Sequence, residues 1–133
     1  MRQIILRYIL LLSLPCLQSV AFAAGGGGGT PYFEIATPFV VNLADKGGIA
    51  FLQVNAQLKV KNEEIKQHLH SHMPAIQHTV MMVLSEQTSN SIGSVDGKQQ
   101  LREKTLKEIQ SLLTEKIGDP AIEEVYFTGF IVQ

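Results

Sequence analysis

Between Ile49 and Val60 the chain reads Leu52, Val54, Ala56, Leu58 and Val60 in strict alternation with Gln53, Asn55, Gln57 and Lys59. Successive side chains of a strand point to opposite faces, so this period of two predicts a strand with one dry and one wet side. Such a strand commits the chain to a sheet that must be covered on one face. Tyr32 to Leu43 is rich in β-formers and precedes the turn Asp45-Lys46-Gly47-Gly48, so the two segments are expected to pair as an antiparallel hairpin. Pro38 cannot donate a ladder hydrogen bond, which makes the first strand an edge or bends it there.

The next segment changes period. Asn62 followed by Glu63 and Glu64 is a capping side chain with acids in the first turn, and Ile65, Leu69 and Met73 give a helical stripe. Pro74 is expected to end or kink that helix. A second helix would start there, with Ile76, Val80, Val83 and Leu84 as its buried stripe. Thr88 to Ser94 reads as a loop. Asp96 is expected to cap a third helix, Gly97 to Ile117, with Leu106, Ile109, Leu113 and Ile117 facing inward and Leu101 and Leu112 alongside. Its outer face would carry the pairs Glu103 with Lys107 and Lys104 with Glu108. Gly118-Asp119-Pro120 stops it. Ile122 to Val132 alternates with apolar residues on both sides, which predicts a strand sandwiched between neighbours or covered on both faces. The order is ββαααβ, an α+β fold with a small antiparallel sheet and three helices on one face.

Residues 1–23 do not belong to that fold. Arg2 and Arg7 precede the apolar run from Tyr8 to Leu17, and Ala21-Phe22-Ala23 precedes Ala24, the three parts of a secretory signal peptide. An apolar core of about ten residues is short of the roughly 20 a bilayer needs, and Pro15 interrupts it. A retained signal anchor is the competing expectation. Cys16 follows Pro15, a poor fit to a lipid-attachment site. Residues 24–31 contain the pentaglycine Gly25 to Gly29, a flexible tether to a domain spanning 32–133.

Composition narrows the chemistry. The chain has 133 residues, 45% of them hydrophobic and 17% charged, with a formal charge of -1. That suits one folded domain and excludes a strongly basic nucleic-acid binder. A single cysteine rules out an intrachain disulfide framework. His68 and His72 stand one helical turn apart, the spacing at which two imidazoles share a metal, but His70 points elsewhere and His78 lies beyond Pro74. Gly93-Ser-Val-Asp-Gly97-Lys98 has three residues where a phosphate loop has four, and Gln99 replaces the magnesium-binding hydroxyl. No nucleophile elbow and no carboxylate pair stands out, so no enzyme and no cofactor are expected.

Several segments together resemble a known family. Tyr32-Phe33, Pro38-Phe-Val-Val-Asn-Leu43, Phe51-Leu-Gln-Val54, Met73-Pro74-Ala-Ile76, Leu84-Ser85, Gly97-Lys98 with Leu101-Arg102, and Val125 to Gln133 are similar, in order and spacing, to the flagellar basal-body-associated protein FliL family. The resemblance implies a stomatin-type periplasmic domain, an inner membrane nearby, self-association into rings, and stator and basal-body proteins of the flagellar motor as partners. The usual members carry a full transmembrane helix where this chain has a signal-peptide-like segment. Lys104 and Lys107 are the candidate partner-surface residues. The alternative is a soluble periplasmic binding module of the same fold, with a metal at His68 and His72 as its candidate chemistry.

Cleavage after Ala23 should leave Ala24 as the mature N-terminus. Intact mass of the protein in a periplasmic extract checks this; a membrane-bound form that still includes residues 1–23 would mark a signal anchor.

Overall fold

The computed structural model describes residues 31–133. The signal-peptide and cleavage residues, Ala21, Ala23 and Ala24 among them, and tether residues 24–30 lie outside the described residues. The elements are β1 (Tyr32–Asn42), β2 (Phe51–Val60), α1 (Glu63–Ser85), α2 (Ser89–Ile92), α3 (Val95–Ile117) and β3 (Ile122–Val132). The three strands form one antiparallel sheet in the order β1-β2-β3. The expected ββαααβ order and α+β class are therefore observed, although two of the three helices divide the chain differently from the sequence reading.

β2 is the centre of the sheet, and its alternation is realised residue by residue. Leu52, Val54, Ala56, Leu58 and Val60 are all buried, against α1 and the inward side chains of the flanking strands. Phe33, Ile35, Phe39 and Val41 of β1 join them, as do Ile122 and Val125 of β3. The register of β1 slips around Pro38: Ile35 faces Ala56 while Phe39 faces Val54. β1 thus holds two surplus residues there, an even number, so Phe39 and Val41 stay on the buried side. The bend sits on an edge strand, where the missing proline N–H costs no ladder bond.

The helix break expected at Pro74 does not occur. α1 runs unbroken through Pro74, which is exposed. An interior proline costs about 3 kcal/mol by removing a backbone hydrogen bond and crowding the preceding turn. Leu69, Ile76, Val80, Val83 and Leu84 lie on one continuous buried stripe across it, and their packing outweighs that cost. Asn62 caps the helix as expected, its Oδ1 accepting from the Ile65 N–H at 3.1 Å.

The segment read as a loop contains α2. Its polar residues are capping partners: Thr88 Oγ1 accepts from Ser91 N–H while Ser91 Oγ accepts from Thr88 N–H. Asp45 from the β1–β2 turn accepts from the Ser89 N–H at 3.0 Å and pins α2 to the hairpin, and Ile92 is fully buried beneath. The cap of α3 is Ser94 rather than Asp96; Ser94 Oγ accepts from Gly97 N–H at 3.0 Å, and Asp96 occupies the first turn. A Cβ on Gly97 would lie 1.8 Å from the Ser91 carbonyl oxygen, so this glycine is demanded by the closeness of α2 to α3. The buried stripe of α3 is Leu101, Thr105, Ile109 and Leu113, with Leu106, Leu112 and Ile117 half-buried. Thr105 enters this apolar row because its hydroxyl donates to the Leu101 carbonyl at 2.8 Å.

β3 is an edge strand, not a sandwiched one. Thr128 faces Asn55 but Ile131 faces Gln53, so one surplus residue sits between them, and Gly129 takes φ 59° at the bulge. An odd surplus reverses the alternation. Phe127 and Phe130 therefore both lean to the helix side, 6.4 Å apart, while Ile131 faces outward with Gln53. Phe127, expected in the core, is half-buried at its margin.

Val54→Ala should cost about 2–3 kcal/mol from lost transfer energy and the cavity left behind. Gly97→Ala should cost about 1–3 kcal/mol through overpacking. Gly47, with nothing within 4 Å of its would-be Cβ, should accept alanine without loss. Urea unfolding of the three variants against the parent checks all of these.

Candidate interaction surface

The sheet face away from the helices is open, and register fixes what it presents. Tyr32, Lys59 and Glu124 form one row across the strands, and Glu34, Gln57 and Tyr126 the next. Lys59 Nζ lies 3.0 Å from Glu123 Oε2, and the Tyr126 hydroxyl donates to Glu124. The Tyr32 and Tyr126 rings are 6.0 Å apart. The hydrogen bond to Glu123 raises the Lys59 pKa, and the one to Glu124 raises that of Tyr126, so at neutral pH the first stays charged and the second stays a donor. Toward the hairpin turn the face becomes apolar: Val40, Phe51 and Ile131 are 59%, 43% and 44% exposed. Apolar side chains gathered at one end of an open sheet are the feature expected of a protein that works through contact.

The opposite end is where residue 31 meets the domain, its carbonyl accepting from the Val60 N–H at 2.7 Å. Lys61 Nζ and the Ala121 N–H both donate to Asp119 Oδ1, at 2.7 and 2.6 Å. Ala121 has φ 63°, a left-handed conformation uncommon for a residue with a side chain, and the Asp119 hydrogen bond holds it there. Asp119 thereby ties the α3–β3 turn to the end of β2. The Lys61 hydrogen bond, with that from Ala121, holds its carboxyl below the usual carboxylate range. Sequence reading took Asp119 only as part of a helix stop; the aspartate two residues before a buried alanine is a weak signal, and Lys61 is 58 residues away.

His68 is exposed and lines a cleft of about 250 Å³ with Asn62, Glu64, Ile65, Ile117 and Asp119, and His72 is half-buried one turn on. His70 instead sets its ring edge-on to Phe33, with centroids 4.8 Å apart. Among the described residues no group of three or more His, Cys, Asp or Glu is placed to hold a metal ion. Lys104 does not pair with Glu108: its Nζ lies 2.6 Å from Glu86 Oε2 at the end of α1, and Glu103 accepts from Gln99 Nε2 instead of meeting Lys107. Lys107 is exposed on the same helix. The glycines of the Gly93–Lys98 segment serve helix packing, since the Gly97 N–H is already taken by Ser94. No helix among the described residues is long and apolar enough to cross a membrane.

A family model described as flagellar basal body-associated protein FliL matches residues 32–133. The Flagellar protein FliL of Aquifex aeolicus (strain VF5) is 32% identical over 101 residues, which cover 76% of this chain and 60% of that protein. The chain therefore spans about 60% of the length of the curated relative it matches.

Because the folded-state pKa of Asp119 is depressed, its contribution to stability is present above the ordinary carboxylate range and is lost as pH falls through the folded value. The stability gap between parent and Asp119→Asn should accordingly be full at neutral pH and close in acid, as denaturant unfolding at a series of pH values would record.

Proposed function

The chain belongs to the FliL family of flagellar basal body-associated proteins, and we propose that it supports motor rotation and motility by assembling around stator units at the periplasmic face of the inner membrane. The observation that carries this reading is the family match across the whole described domain, joined to a surface built for contact. The open sheet face is apolar toward the hairpin turn, and the exposed side of α3 carries Lys104 and Lys107. A tether at residues 24–31 would let the domain reach neighbouring copies and stator subunits without strain. Contacts of this sort are weak singly and gain strength when many copies gather at one assembly. The proposed role is non-enzymatic. It asks of the domain a stable fold and exposed faces.

A deletion strain should swim poorly in soft agar, and more poorly still in viscous medium where motor load is high. Complementation with Lys104→Glu/Lys107→Glu should fail to restore motility while the purified variant keeps the parental circular dichroism spectrum. The Lys104–Glu86 pair is exposed and contributes little to stability, so the variant is expected to fold. Normal swimming of the deletion strain under load, with a purified protein that stays monomeric at high concentration, would overturn this reading in favour of a periplasmic binding module.

A further inference from the structure

Among the described residues there is no cysteine, and sulfur is held in three methionines, Met73, Met81 and Met82. Met73 is half-buried and packs against the core. Met81 and Met82 follow each other near the C-terminal end of α1, 46% and 50% exposed, between Val80 and Val83, which are buried. Successive helical residues point about 100° apart, so the pair spreads its sulfur over a broad sector of the solvent side. Such positions ordinarily carry polar side chains, and neither thioether belongs to the buried stripe of the helix. The fold does not need sulfur there. Met82 also lines a cleft of about 370 Å³ between α1 and α3, where the titratable groups are His78, Glu86, Lys104 and Glu108.

A thioether sulfur is a neutral nucleophile toward peroxides. Hydrogen peroxide is itself uncharged, so the carboxylates of Glu86 and Glu108, the Lys104 ammonium and the His78 ring neither draw it in nor turn it away. Access to the sulfur decides which methionine reacts. The sulfur lone pair attacks one peroxide oxygen, and the O–O bond breaks as the S–O bond forms. The departing hydroxide takes the proton from the transferred oxygen and leaves as water. Sulfur is oxidised by two electrons and the peroxide reduced by two. The product sulfoxide is polar and chiral where the thioether was apolar.

We propose that Met81 and Met82 are the peroxide-oxidation site of this domain, and that their sulfoxides turn the α1–α3 surface polar while the core stays intact. At Met82 the new oxygen brings a strong acceptor into the cleft where Lys104 Nζ now lies 2.6 Å from Glu86 Oε2. Met73 supplies the contrast. A sulfoxide there would set a polar oxygen against the core, at a cost in stability, and its burial shields it from the oxidant. Sulfoxide reductases return the thioether, so the change of surface is reversible. The inference concerns the chemistry of this surface and stands independently of the motor role.

The test treats the purified protein as expressed with graded hydrogen peroxide and follows each methionine by tandem mass spectrometry of its peptides. Met81 and Met82 should each gain one oxygen roughly tenfold or more faster than Met73, whose oxidation must wait for local opening of the fold. In concentrated urea the three rates should converge, which assigns the contrast to the fold and not to neighbouring sequence. With both sulfoxides formed, the melting temperature should hold and amide NMR shifts should be confined to residues 78–86 and 104–108. Met81→Leu/Met82→Leu conserves volume and should keep the fold while losing the fast phase of oxygen uptake. The parent protein carries the other readings, so the test stays decisive even where that variant folds poorly. Met73 oxidising as fast as the pair in the folded protein, or a pair that resists peroxide until the protein unfolds, would overturn the proposal. So would a melting temperature that falls in step with the first sulfoxides, or amide shifts that spread into β2.

Discussion

Burial of one face of β2 is the constraint on which the rest of the domain depends. Leu52, Val54, Ala56, Leu58 and Val60 cannot all be kept from water unless strands flank them and helices lie over them. α1 answers with the stripe from Leu69 to Leu84, and α3 with Leu101, Thr105, Ile109 and Leu113. That demand is strong enough to carry α1 through Pro74, where local preference argues for a break. It also explains why Gly97 is needed: α2 and α3 close the core above Ile92 at backbone contact. Each local irregularity is tolerated where it lets the neighbouring elements stay on that face.

The irregularities at Pro38 and Gly129 show how small a sequence difference decides which residues meet solvent. Two surplus residues in β1 preserve its alternation; the single one at Gly129 in β3 reverses it there. The reversal brings Phe127 and Phe130 to the same side and turns Ile131 out. Sequence alternation alone places Phe127 and Ile131 together, because nothing in Thr128-Gly129 distinguishes a bulge from a regular strand until its pairing partner is known. Legibility followed the range of the forces involved. The β2 pattern, the Asn62 cap and the Gly118 stop depend on near neighbours and are readable directly. The continuity of α1 and the edge position of β3 depend on contacts made elsewhere in the chain, as does the Asp45 clamp on α2.

The same division holds for the surface. Histidines at helical spacing are conspicuous in sequence, yet what His68 and His72 would need is a third ligand, and space alone supplies or withholds that. Lys104 was legible as an exposed cation on α3, but its partner Glu86 lies 18 residues back on another helix. In sequence Asp119 marks only a helix stop and Arg102 only part of a family-like segment. The first gains its role from Lys61 and Ala121.

The hydrogen bond between the residue 31 carbonyl and the Val60 N–H fixes how the domain would meet mechanical load. β1 begins there and runs away from that point toward the hairpin turn, so a pull through residue 31 acts along the strand. Tension of that kind slides β1 against β2 in shear, and the ladder between Tyr32 and Asn42 bears it collectively instead of opening bond by bond. The rate at which such a ladder yields, rather than its equilibrium stability, then sets how long the domain withstands the pull. The same sheet peeled from its β3 side would open sequentially, making the domain mechanically anisotropic: stiff along β1 and compliant across its β3 edge.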